Sequence, residues 1–103
     1  MAQYAITAVH YGGGKMDLVA LHPVVDEEFG STEFTLGPAQ RVSVGECVNL
    51  LAAGEELCAV RRTENHAWEI VCDVKLLPGG NGITGVDVAD RPNDALEKLP
   101  AWD

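Results

Sequence analysis

Apolar and β-branched residues crowd the start of the chain in two runs. Residues 3–11 read QYAITAVHY and residues 16–25 read MDLVALHPVV, with Gly12, Gly13, Gly14 and Lys15 between them. Two strand-like runs joined by a short glycine turn predict a β-hairpin. A symmetric turn sets Tyr11 opposite Met16, His10 opposite Asp17 and Val9 opposite Leu18. Ile6, Val19 and Leu21 then share one face, and Val9, Met16 and Leu18 the other. Both faces are substantially apolar, which places this hairpin inside a sheet or against another subunit. Asp26-Glu27-Glu28 opens a polar stretch to Thr32 that reads as exposed loop with a solvated charge run. Residues 33–36 add a short extended segment, and Gly37-Pro38 ends it.

The clearest local pattern is helical. Ser43-Val44-Gly45-Glu46 forms a capping box, with Ser43 as N-cap. Val44, Cys47, Val48 and Leu51 follow at i, i+3, i+4 and i+7, one apolar stripe of a helix, and Gly54 stands where a left-handed residue ends it. A helix this short owes its stability to packing on a sheet. Residues 57–63 and 67–77 then read as strands joined by the polar turn Glu64-Asn65-His66. Trp68, Ile70, Cys72, Val74 and Leu76 alternate with Glu69, Val71, Asp73 and Lys75, so the even positions face the core. One uninterrupted register sets Val60 against Ile70, Cys58 against Cys72 and Arg62 against Trp68, the last as a cation–π pair. It continues through PGGNG, residues 78–82, into a strand over 83–88, with Val74 opposite Val86 and Cys72 opposite Val88. Near the end, Asn93 or Asp94 caps a single turn holding Leu96 and Leu99, closed by Pro100. The pattern predicts one α+β domain over residues 1–103. Its architecture is ββαβββ: a mainly antiparallel five-stranded sheet, or a partly open barrel, with one packing helix.

Composition narrows the function. In 103 residues, seven Lys and Arg against sixteen Asp and Glu leave a net charge of −9. Such a chain has no basic face with which to grip phosphates, so direct nucleic-acid binding is not expected. Leu, Ile, Val and Phe make up about 26% of the chain, above the ~20% below which chains tend to disorder. No apolar run approaches a membrane span, and Met1-Ala2-Gln3-Tyr4 does not begin a signal peptide. Three cysteines, Cys47, Cys58 and Cys72, are odd in number and lack framework spacing, which points to a reducing, cytoplasmic setting. There is no CxxC or CxxH, so neither a metal site nor a cofactor is expected.

The remaining chemistry is sparse. Gly12-Gly13-Gly14-Lys15 lacks the spacing, the following Ser or Thr and the following helix of a phosphate loop, so it reads as a turn. His10 and Asp17 meet across the first hairpin as an oriented imidazole, ordinarily a modest ion pair rather than half of a catalytic site. His22, before Pro23, and His66, in a turn, show no partner in the sequence. All three cysteines fall on core-facing positions, where burial raises thiol pKa values and quenches nucleophilicity. No catalytic residues are therefore assigned, and an enzyme is not the expectation.

Three stretches in one order carry a resemblance: Ile6-Thr7-Ala8-Val9, Glu46-Cys47-Val48-Asn49-Leu50-Leu51 running into Gly54, and Asp94-Ala95-Leu96-Glu97-Lys98-Leu99-Pro100. Together they resemble a family of small bacterial domains of unknown function, about a hundred residues long. Its members share a strand pair, a helix, a strand meander and an Asp-Asn-Leu-x-x-Leu-Pro tail; here Ala95 replaces the Asn. The resemblance implies a bacterial source and the same topology, and brings no reaction or ligand. The leading expectation is a small acidic interaction or adaptor domain with a protein partner or self-association. Tyr4, Arg62 and Trp68 are its contact candidates, because aromatic residues and Arg are enriched at interfaces. One alternative is an acidic inhibitor whose clusters, Asp26-Glu27-Glu28, Glu55-Glu56 and Asp87 with Asp90 and Asp94, mimic nucleic-acid phosphates. Another is a small-ligand binder or enzyme using His10 and Asp17.

Overall fold

The computed structural model describes residues 3–27, 34–64, 68–77, 79–80, 82–87, 91–93 and 95–102. Among them, β1 (Gln3–Gly12) and β2 (Lys15–Glu27) form the long first hairpin. Gly13 and Gly14 turn it with φ of 63° and 83°. Two successive left-handed residues give the turn a twist matching that of the strands, and glycine adopts them without strain. Tyr11 pairs with Met16 as the sequence predicts, but His10 then pairs with Leu18 and Val9 with Val19. Asp17 is an extra residue on β2, a β-bulge, and Thr7 is a second one on β1, between the pairs Ile6–Leu21 and Ala8–Ala20. The Thr7 bulge reverses the alternation, so Ile6 and Val9 both enter the core beside Val19 and Leu21. The predicted division of these residues between two faces is thereby corrected. Asp26 and Glu27 belong to β2 rather than to a loop, pairing with Thr35 and Phe34 of β3 (Phe34–Leu36), while residues 28–33 lie outside the described residues.

The hairpin does lie inside a sheet. β2 pairs on its far side with β3 and with β4 (Gln40–Ser43), a strand with no counterpart in the sequence pattern. β1 pairs in parallel with β5 (Glu56–Arg62) over Gln3–Ile6, and with β9 (Ala101–Trp102) over Val9 and His10. β6 (Trp68–Leu76), β7 (Ile83–Val86) and β8 (Pro92–Asn93) complete the order β3-β2-β1-β5-β6-β7-β8. The described residues thus form an α+β fold, but its sheet is open, nine-stranded and mixed, not five-stranded and antiparallel. The parallel pairs of β1 make the difference: β5, which opens the antiparallel run β5-β6-β7-β8, and the two-residue β9 both dock beside the first strand.

The helix α1 (Val44–Ala52) is the predicted one. The Glu46 N–H donates to Ser43 Oγ at 3.1 Å. At the other end Glu55 N–H donates to Leu50 O and Gly54 N–H to Leu51 O, with Gly54 at φ 91°. This pair of bonds is a Schellman motif, which satisfies carbonyls that no later turn of helix reaches. Cys47 is buried, with Leu50 and Leu51 packed on the core, so the buried stripe leans towards position 50 rather than Val44 and Val48. Leu96 and Leu99 close the same core from the tail, where Asn93 Oδ1 accepts from Ala95 N–H at 3.0 Å as a cap; Asp94, the other predicted cap, lies outside the described residues.

Val71 is a third bulge. Val60 faces Ile70 and Arg62 faces Trp68 as predicted, but Ala59, not Cys58, faces Cys72. Downstream, Gly85 rather than Val86 faces Val74. Val88 lies outside the described residues, as do Asn65 and His66 of the turn before β6. The even positions of β6 therefore divide: Cys72 and Val74 are buried, while Ile70 turns outwards and is 56% exposed.

Candidate functional site

Opposite the core, the sheet has a second, thinly covered face. Ala5 and Val60 are fully buried yet stand apart from the main cluster. Trp68 lies near them, its ring 6.4 Å from that of His22 and under the guanidinium of Arg62 at 5.2 Å. His22, for which the sequence showed no partner, has two: Nδ1–H donates to Gly37 O at 2.9 Å, and Thr7 Oγ1 lies 2.9 Å from Nε2. The carbonyl can only accept, so Nδ1 carries the proton, and the Thr7 hydroxyl, which can donate or accept, completes the ring's bonding at Nε2. Thr7 is the bulge residue of β1, and the bulge gives its side chain this aim.

Along the same face runs a groove of about 160 Å³. Val24 and Ile70 supply apolar wall, Gln3, Glu56, Cys58, Asp73 and Lys75 line the rest, and Tyr4 and Leu57 border it although both belong to the core side of the sheet. Gln3 Nε2 donates to Glu56 Oε2 at 3.0 Å, which fixes that carboxylate at one end. Of the three predicted contact residues, the structure joins Arg62 and Trp68, whereas Tyr4 borders this groove with its side chain packed against the core. Tyr4 pairs with Leu57, five residues before Arg62 on β5, about 17 Å away at some 3.3 Å per residue. Ile70, opposite Val60, stands within that interval; alternation alone puts it in the core, and no local pattern corrects that.

The second polar cluster lies at the hairpin tip. His10 Nδ1–H donates to Asp17 Oδ1 at 2.6 Å. The hydrogen bond from His10 is the main cause that holds the Asp17 carboxyl below its usual value of 3.8. The contact arises from the bulge, since His10 and Asp17 are not register partners. Gly12 leaves the room, for a Cβ there would stand 2.4 Å from Asp17 Oδ2. Trp102 lies tilted against His10 with centroids 5.5 Å apart and under Arg41 at 5.6 Å. Neither Trp102 nor Arg41 was singled out by sequence.

The cysteines separate by environment. Cys47 and Cys72 are buried, whereas Cys58 is half-buried, with Sγ 3.6 Å from Tyr4 O, which corrects its placement in the core. Burial, with the charge of Glu46, pushes the Cys47 thiol up to about 11; burial also raises that of Cys72. Among the described residues no three His, Cys, Asp or Glu side chains converge as metal ligands would, and no helix is long and apolar enough to cross a membrane. Of the acidic residues, Glu69 pairs with Arg61 at 2.9 Å and Asp87 with Arg91 at 3.1 Å; Asp90 and Asp94 lie outside the described residues. Compared with family models, curated proteins and solved structures, the chain shows no match.

Proposed function

We propose that this chain is a small acidic interaction domain that docks a basic protein segment on the outer face of its sheet. The observation that carries the reading is Ile70, 56% exposed beside a groove bearing Glu56 and Asp73. An apolar side chain standing in water beside carboxylates suits a partner residue of the same kind flanked by Lys or Arg. The Arg62–Trp68 pair extends the surface with the residue types that anchor interfaces. Charge also selects the partner: two copies at −9 each repel, while a basic chain is drawn in. The two-sided apolar hairpin gives no support to self-association, because its neighbours are strands of its own sheet. The odd number of cysteines and the resemblance to small bacterial domains support a bacterial, cytoplasmic setting in this reading.

The test is a titration of the ¹⁵N-labelled chain with a nonapeptide of Lys and Gly carrying one central Leu. Saturable shifts are expected at residues 56–58 and 70–75, weakened by salt and lost in Ile70→Asp. That substitution, at a half-exposed strand position beside other carboxylates, costs about 1 kcal/mol or somewhat more, so folding of the variant is checked by its urea midpoint. No saturable shift up to about 1 mM, or the same response in Ile70→Asp, would overturn the reading. Competition between the peptide's natural counterpart and DNA would mark the acidic face as a mimic of nucleic acid, the special case in which the partner's basic surface is a nucleic-acid groove.

A further inference from the structure

We propose that the edge of β1 at Val9 and His10 is a strand-accepting slot, and that β9 is a resident strap which an extended segment of a partner protein displaces. The slot exists because of the Thr7 bulge. β1 runs beside β5 only as far as Ile6, and the next pairing on that side is with β9, from Val9. β9 occupies the resulting gap with two residues, Ala101 and Trp102, and with the carbonyl of Pro100, which accepts from Val9 N–H at 2.9 Å. The rest of its hold is one aromatic ring: Trp102 against His10 on β1 and under Arg41 on β4. Ala8 and Ala20, paired on the strands between His10 and Arg41, leave the sheet surface low where the indole crosses it.

The resident shows what the slot takes. A ligand must be extended and parallel to β1. It must offer a carbonyl to Val9 N–H, then a small residue, then an aromatic ring for the His10–Arg41 site. Adding a strand to an exposed edge is a general mode of peptide recognition, in which backbone bonds hold and side-chain pockets select. A strand of two residues can open by itself at far less cost than the whole fold. Exchange of tails between two whole copies is not the expected occupant. Leu99 is buried in its own core, and the three residues from Pro100 to Trp102 reach about 11 Å from it at most. The partner is therefore a different chain with a Pro-small-aromatic segment.

The probe is a fluorescein-labelled peptide of this chain's own residues 98–103, KLPAWD, added to the full-length protein. In the wild type the tethered tail competes at an effective concentration on the order of millimolar or above, so the peptide binds weakly. In Trp102→Ala the slot is vacated more often, and binding tightens at least tenfold; Arg41→Ala, which also weakens the site for the peptide's own Trp, shows no such gain. Equal binding to wild type and a folded Trp102→Ala, or none to either, overturns the proposal. Should Trp102→Ala not fold, hydrogen exchange on the wild type decides. The Val9 amide is expected to exchange at least a hundredfold faster than the amides of the central β1–β2 ladder, and equal protection sinks the strap.

Discussion

Adding a single methyl group at Gly85 probes how tightly β7 is held between the core and the tail. Gly85 pairs with Val74 on one side and Asn93 on the other. A Cβ at this position would stand 2.8 Å from Cys72 Sγ, 2.8 Å from Asn93 Oδ1 and 3.4 Å from Leu96 N. None of the three can yield freely: Cys72 is buried, Asn93 Oδ1 holds the Ala95 N–H, and Leu96 N is backbone. Overpacking of this kind costs about 1–3 kcal/mol. Displacing Asn93 loses a capping bond of about 0.5–1.5 kcal/mol. Removing a glycine from a strand returns about 0.5–1 kcal/mol. Gly85→Ala should therefore destabilise the fold by about 2 kcal/mol. With a urea m-value of about 1–3 kcal/mol/M, the unfolding midpoint falls by about 1 M. Cys72→Ala removes one of the two closest atoms, so in that background the methyl should cost less, with a coupling of at least about 0.5 kcal/mol. An unchanged or raised midpoint for Gly85→Ala, or strict additivity with Cys72→Ala, would show that the methyl is housed and the packing argument wrong.

Four further outcomes rest on the geometry. Ser43→Ala removes the acceptor of the Glu46 N–H and should cost about 1 kcal/mol in urea unfolding; Ser43→Gly should cost only a few tenths. The Cys47 thiol, raised from 9.0 to about 11 in the fold, is protonated in both states below pH 8. Its stabilising contribution is therefore complete there and is lost as pH climbs from about 9 through 11. The loss is at most about 3 kcal/mol at 1.36 per unit, seen as a steeper alkaline decline than in Cys47→Ala. Under native conditions iodoacetamide should accordingly label Cys58 before Cys47 or Cys72, read by peptide mass. Finally, the Asp17 carboxyl should titrate below 3.8 by ¹³C NMR and return towards that value in His10→Ala. Because its pKa is depressed in the fold, whatever stability it adds is present above pH 4 and is lost as pH falls through the folded midpoint.

Signals contained within a few neighbouring residues are legible in the sequence itself. The turn at Gly13-Gly14, the capped helix from Ser43 to Gly54 and the turn carrying Leu96 and Leu99 each satisfy their own backbone bonds, so their sequences carry the whole instruction. The Arg62–Trp68 pair is legible too, because it lies close to the turn that sets its register. Registers farther from a turn are not. Thr7, Asp17 and Val71 each insert one residue into a ladder, and one residue exchanges the faces of all that follow it. That exchange carries Ile70 out of the core and Val9 into it.

The polar clusters are partly visible for the same reason. His10 and Asp17 sit close to a two-residue turn, where the bulge at Asp17 brings them together, whereas His22 finds Thr7 and Gly37 only once β1 and β3 flank β2. β4 and β9 leave little mark on the chain, being four and two residues long. A strand that short gains nothing from its own residues and exists only where a longer strand already offers an edge. Local bonding, then, is written residue by residue. Bulge positions, the parallel partners of β1 and the composition of the outer face depend on how apolar area is shared between both faces of the whole sheet. No window of sequence contains that sum.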